Sequence, residues 1–211
     1  MTQINVMNRV LRHNMRNDLN VILGRAELLN EKISGNDNDS VEAIIETSEK
    51  LIELAEKGRE ITTLLQNRPT REAIDIETRV RTVAFDIRED HPAAEITVEV
   101  EGTTVANPCT EIDTAIRELI ENAIVHNDQE TPTVEVEITD RDSTVELEVR
   151  DTGPTISESD RGLLLGEDPL QLQHGSGLGL WLINIIATRS GGSVSYGEHS
   201  PRGNRIQLRL P

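Results

Sequence analysis

The sequence predicts an α+β protein: an N-terminal helical hairpin followed by an α/β sandwich of one sheet layer and one helix layer. Three observations carry that expectation. Residues 4–33 and 41–66 hold long helical apolar periodicities, separated by a short polar turn. The texture changes at Asn67-Arg68-Pro69-Thr70. Beyond it, strictly alternating segments interleave with helical ones without regular βαβ spacing. A chain of 211 residues has room for two domains, expected at 1–66 and 69–211.

Residues 4–33 contain no Pro and a single Gly, Gly24. Apolar or small residues recur at Val6, Val10, Val21, Gly24 and Leu28, with Leu11, Ile22 and Leu29 beside them, and Asn14 and Asn17 fall on the same stripe. Residues 34–40, Ser-Gly-Asn-Asp-Asn-Asp-Ser, read as a turn, with Asp39 or Ser40 capping the next helix. That helix runs over 41–66 through Ile44, Ile45, Ser48, Leu51, Ile52, Ala55, Thr62 and Leu65. Helices of roughly 28 residues are about 40 Å long. A short turn pairs them antiparallel, but two helices alone bury too little apolar surface. A second hairpin completing a four-helix bundle, and hence a homodimer, is expected.

After residue 70 the expected order is a short strand at 72–76 and a helix at 77–89 stopped before His91-Pro92. An alternating strand at 95–101 and an amphipathic helix at 110–127 follow. Residues 134–139 and 144–150 form a hairpin. Residues 152–175 read as loop ending in a glycine cluster, 177–190 as an apolar helix, and 193–196 and 204–210 as strands.

Composition excludes several functions. One Phe, one Trp and one Tyr leave almost no stacking platform for nucleic acid. The net charge of −17 repels polyanions and anionic membrane surfaces. Only Lys32, Lys50 and Lys57 among the 21 cations are lysines, which suits either work in concentrated salt or an ordinary acidic protein. Glu135, Glu137, Asp140, Asp142, Glu146 and Glu148 crowd one hairpin, so salt is expected to stabilise the chain. Cys109 alone makes neither a disulfide nor a cysteine-based metal cluster. No apolar run reaches membrane-span length and residues 1–10 are too polar for a signal peptide, so the expected location is cytoplasmic, including the cytoplasmic portion of a larger sensor.

Three motifs carry chemistry. His174-Gly175-Ser176-Gly177-Leu178-Gly179-Leu180-Trp181 opens a helix, where glycines let backbone N–H groups approach an anion; a flexible hinge is the alternative. Asp151-Thr152-Gly153 ends an alternating strand, either presenting a carboxylate to an exocyclic amine such as adenine's or simply forming a turn. Glu118, Asn122 and His126 lie four apart on one helix face, either reaching a Mg²⁺–phosphate unit or being merely solvated.

Together and in this order, these motifs resemble the nucleotide-binding module of sensor histidine kinases, the ATP fold shared with gyrase, MutL and a heat-shock chaperone family. The kinase branch also carries a phosphoaccepting histidine in a helical hairpin upstream, matched here by Leu11-Arg12-His13-Asn14-Met15-Arg16-Asn17. The resemblance covers essentially the whole chain. It implies His13 as phosphoacceptor, Asn122 as the Mg²⁺ ligand with Glu118 as its neighbouring carboxylate, and His126 near the phosphates. It further implies that Asp151 reads adenine and Gly153 lets the base approach. Gly175, Gly177 and Gly179 would frame the phosphates and anchor a lid over 155–174. ATP and Mg²⁺ are the implied cofactors, and the implied partners are a second copy, a response-regulator receiver domain and a sensory domain outside this chain.

Several positions depart from the family pattern. The residue after the phosphohistidine is usually acidic and here is Asn14, an amide that orients the ring but cannot take its proton. Asn17 matches a position used to place water for dephosphorylating the partner. Val125 replaces a basic residue and Thr155 a glycine. The expected activity is autophosphorylation of His13 and transfer to a response-regulator Asp; a catalytically silent ATP-binding scaffold or a phosphatase is the rival.

Overall fold

The structure is a computed structural model in which residues 19, 21–26, 29, 38–141, 144–167 and 177–211 are described. The chain divides into two compact units, Met1–Thr63 and Leu64–Pro211. Residues 21–26 are helical, as is α1 (Asn38–Gln66), whose last three residues fall in the second unit. The helical backbone already includes Asp39 and Ser40, so neither stands at the N-cap position. Val41 and Ile61 are buried, and so is Ser48, whose hydroxyl donates to Ile44 O at 2.7 Å and leaves no orphaned donor. Ile44 and Leu51 stay 46% and 40% exposed.

The second unit is a helix layer over a sheet. Five strands, β2 (Glu95–Glu101), β4 (Thr133–Arg141), β5 (Thr144–Asp151), β6 (Ser193–Glu198) and β7 (Asn204–Leu210), lie in the order β2-β4-β5-β7-β6. The β2–β4 pair is parallel and the others antiparallel. A separate antiparallel pair joins β1 (Ile74–Asp75) to β3 (Val105–Ala106). The α+β class expected from the sequence holds.

Alternation sets the sheet's two faces. Val134, Val136, Ile138, Leu147, Val149, Ile206 and Leu208 are buried beneath the helices. The outer face carries Glu135, Glu137, Glu146 and Glu148 of the β4–β5 hairpin, and arginines interleave with them. Arg150 contacts Glu137 at 2.6 Å and Glu135 at 3.9 Å and also pairs with Glu148. Glu146, 2% exposed, is bonded by Arg209 and by Gln207 Nε2 at 2.9 Å, with Arg141 at 3.2 Å. Part of the acidic crowding is relieved in this way, because the β5–β7 register brings Arg205, Gln207 and Arg209 alongside Glu146 and Glu148.

The helix layer contains α2 (Ile76–Asp90), α3 (Ile112–Val125) and α5 (Leu178–Arg189). α2 buries Ile76, Val80, Val83, Ala84 and Ile87, and stops ahead of Pro92, which disfavours helical geometry in the residue before it. α3 buries Ile112, Ala115, Ile116, Leu119, Ile120, Ala123 and Ile124. α5 buries Leu182, Ile183 and Ile186 completely and packs against α3. Gly192 follows, where an added Cβ would fall 2.0 Å from Arg209 O. One helix was not anticipated: α4 (Glu158–Leu164) lies within the segment expected to be loop. Ser157 caps it by accepting Asp160 N–H at 3.2 Å, and Glu158 and Asp160 complement its dipole. Seven residues with apolar positions only at the end are too short for a visible period. No described helix is long and apolar enough to cross a membrane.

Candidate functional site

The antiparallel register ends β5 at Asp151, and α3, α4, α5 and β7 converge around that end on a cavity of about 310 Å³. Its walls are of two kinds. Leu119, Ala123, Val149, Ile156, Leu180 and Ile206 supply apolar surface, while Asn122, His126, Asp151, Ser157, Asp160 and Asn204 supply polar atoms. A slot with apolar sides and a few polar groups fixes the orientation of a flat, polar-edged ligand.

Asp151 is 7% exposed. Its Oδ1 accepts Gly153 N–H at 2.8 Å, so the turn expected for Asp-x-Gly forms while the same side chain lines the cavity. Asn204 donates to both carboxylate oxygens, each at 3.1 Å through Nδ2, and through its backbone N–H to Oδ1 at 3.3 Å. Burial pushes the Asp151 carboxyl above the usual carboxylate range, against these N–H donors, which favour the ionised form. At Gly153 an added Cβ would meet Asn127 Cα and Asp151 Oδ1, each at 3.3 Å, so even a methyl group crowds the approach.

The face of α3 is only partly assembled as its spacing suggests. Asn122 and His126 line the cavity, and Asn122 Nδ2 is buried without a hydrogen-bond partner among the described residues. Glu118 does not line the cavity and is 7% exposed, not solvated. α3 packs against α2 and α5 together, which covers more of its circumference than one apolar stripe. Gly177 caps α5 and Gly179 is buried in its first turn. Gly175 lies outside the described residues, as do His13, Asn14 and Asn17. The placement of Asn204, Ile156 and α4 at the cavity was not read from the sequence. The available signal was an Asn on the inward register of an alternating strand, in line with Ile206, Leu208 and Leu210.

A helix layer over a mixed sheet, with a polar and apolar cavity at the strand end, is a fold shared with solved histidine kinases. Residues 109–211 match the family described as histidine kinase-, DNA gyrase B-, and HSP90-like ATPase. Full-length ShkA in complex with AMPPNP is similar at 24% identity and a TM-score of 0.68, over 97% of this chain and 45% of that one. The present chain thus spans less than half the length of that protein. The Acinetobacter baumannii histidine kinase AdeS is similar at 19% identity and a TM-score of 0.61, over 94% of this chain and 96% of that one. The ATP-binding domain of PrrB from Mycobacterium tuberculosis shares 22% identity at a TM-score of 0.55, over 67% of this chain and 96% of its own. No curated protein sequence matches this chain.

Proposed function

We propose that this chain is a histidine-kinase transmitter module, with an N-terminal dimerising and phosphoaccepting unit (1–66) and an ATP-binding catalytic unit (69–211). The observation that carries the reading is the convergence of Asn122, His126 and Asp151 on one cavity within the ATPase fold. In this reading Asp151 accepts a hydrogen bond from the adenine amine, and Gly153 permits the base to approach. The apolar wall of Leu119, Ala123, Leu180 and Ile206 holds the ring. His126 and the N–H groups around Gly177 and Gly179, at the start of α5, lie toward the phosphates.

The Asn122 amide lines the cavity and its oxygen is a hard ligand suited to Mg²⁺, while the unpartnered Nδ2 is a donor left for an oxygen of the bound ligand. Glu118, one turn earlier, is the neighbouring carboxylate that the resemblance implies, but it stands off the cavity, so the metal is assigned to Asn122. When bound, Mg²⁺ neutralises charge on the transferring phosphoryl group. The residues of this chain then hold the nucleotide in place while a His13 ring nitrogen attacks the γ-phosphorus and ADP leaves. The phosphoryl group next passes to an Asp of a response-regulator receiver domain. Asn14 orients the imidazole without acting as a base, and Asn17 positions water for the reverse, phosphatase direction. Positioning accounts for most of the work in phosphoryl transfer. A homodimer is supported by exposed apolar residues at heptad spacing on α1, Ile44 and Leu51, which a second copy would cover. The proposed location is the cytoplasm, with the signal arriving from a sensory domain outside this chain.

Labelled ATP should give an acid-labile, base-stable phosphoprotein, with no label in His13→Gln. Label retained at the wild-type level in that variant would sink the phosphoacceptor assignment. A second reading, a silent ATP-binding scaffold or a phosphatase, is favoured by Val125, which leaves an apolar side chain 61% exposed where the family pattern has a cation. It would give nucleotide binding with no phosphoprotein.

A further inference from the structure

Asn204, which has no part in the reaction above, is the most fully bonded side chain of the cavity. It opens β7, one position beyond the Arg150–Arg205 register pair, and is 5% exposed. Gly203, at φ +131°, brings it there: an added Cβ would lie 1.8 Å from Asp151 O, so only glycine lets β7 begin so close to the end of β5. An asparagine amide has two N–H donors and one oxygen with two lone pairs, and all are used. Nδ2 donates to Pro154 O at 2.9 Å and to both oxygens of Asp151 at 3.1 Å. Oδ1 accepts Ile156 N–H at 2.9 Å and the Tyr196 hydroxyl at 3.0 Å. The amide orientation is unambiguous, because a flip would set oxygen against acceptors and NH₂ against donors.

The two halves of this amide serve different parts of the cavity. The donor half meets Asp151. The acceptor half holds Ile156, next to the Ser157 cap of α4, and Tyr196, whose ring lies 4.6 Å from the Arg161 guanidinium. Arg161 Nε closes the circuit by donating to Ile156 O at 2.9 Å. We propose that Asn204 is a positioning residue for base selection: it fixes how Asp151 presents its carboxylate and sets the 154–161 wall, making recognition and wall placement one unit. The inference rests on the reading of the cavity as a nucleotide site and goes beyond it by assigning selection to a residue that acts through Asp151.

Two substitutions separate the halves. Asn204→Asp keeps an acceptor for Ile156 and Tyr196 but turns an acceptor toward Asp151. Asn204→Ala removes both halves and adds no charge. The other titratable groups around Asp151 are His199 and Tyr196 on the β6–β7 side, His126 at the end of α3 and Asp160 on α4. Those are common to every variant, so each variant is compared with wild type at the same pH. Two facing carboxylates take up a shared proton as pH falls, which restores a donor between them.

The experiment is calorimetric titration of the full chain with a non-hydrolysable ATP analogue and its guanine counterpart, at pH 8 and pH 6, with a melting curve for each variant. Asn204→Asp is expected to bind the adenine analogue at least tenfold more weakly than wild type at pH 8, with the gap narrowing at least threefold at pH 6. Asn204→Ala is expected to lose affinity by a similar factor at both pH values, and both variants should lose adenine-over-guanine preference. Folded variants that bind within twofold of wild type, or that lose both nucleotides equally at either pH, overturn the proposal. If Asn204→Asp does not fold, Asn204→Ala decides by the same twofold limit. A wild-type chain that binds neither analogue overturns the nucleotide reading, and the proposal with it, whereas an adenine-selective loss confined to the variants supports both.

Discussion

Replacing Asp151 with Asn changes one oxygen for an NH₂ group in the middle of the cavity. The amide oxygen can keep the place of Oδ1, which takes Gly153 N–H at 2.8 Å and Asn204 N–H at 3.3 Å, so the turn and the strand end persist. What disappears is the charge and the second acceptor. A hydrogen bond to a charged group contributes about 1.5–3 kcal/mol. At about 1.4 kcal/mol per decade, that is an expected loss of about 10- to 150-fold in affinity for an adenine nucleotide. The guanine analogue, which presents a carbonyl where adenine presents an amine, should bind no worse than before.

Stability is expected to move the other way. The folded carboxyl is raised by burial, so its ionised form is disfavoured relative to the unfolded chain. That penalty is fully present above the folded pKa and vanishes as pH falls below the unfolded value. At neutral pH Asp151→Asn removes it, so the melting temperature should hold near or above the wild-type value, and the variant's standing should decline as the solution is acidified. The assays are calorimetric titration with adenine and guanine analogues, and thermal melts from pH 8 to pH 4. Unchanged adenine affinity would return Asp151 to a purely turn-forming role. Equal loss of both nucleotides with a collapsed melt would refute the separation of binding from folding.

Asn122→Ala should weaken nucleotide binding at least tenfold in Mg²⁺ and much less in EDTA, measured by the same titration, because the amide is assigned to the cation. Leu182→Ala in the fully buried face of α5 should cost about 2–5 kcal/mol in denaturant unfolding while leaving affinity per folded molecule intact. Arg150→Met should lower the melting temperature by several degrees at low salt, since Glu137 and Glu148 face each other directly and Arg150 bonds both. Molar KCl should restore much of that loss, and should also raise the wild-type value because of the net charge of −17; a flat wild-type response would leave the chain acidic without a salt requirement.

Strand periodicity made most of the sheet legible. The segments around β4, β5 and β7 alternate because one face is buried and the other charged, and their ends fell within a residue or two of expectation. Asp151 was legible because it stands at the end of such a strand, two residues before a glycine. Asn204 was not, since it reads only as the first residue of a strand until the register of β7 sets it beside the end of β5. α4 was hidden for a different reason: its stability comes from the Ser157 cap and from Leu163 and Leu164 reaching the core, not from a repeating stripe. Glu118 shows the limit of a helical wheel, because a helix contacted from several sides buries residues that one stripe would leave in water.

The central claim is that the cavity at the end of β5 is where ATP binds. A crystal structure of the chain with a non-hydrolysable ATP analogue and Mg²⁺ tests it most directly. The adenine amine is expected within hydrogen-bond distance of an Asp151 carboxylate oxygen, with the metal on the Asn122 amide oxygen and the phosphates toward the start of α5. A nucleotide seated elsewhere on the chain, or one whose base makes no contact with Asp151, would contradict it.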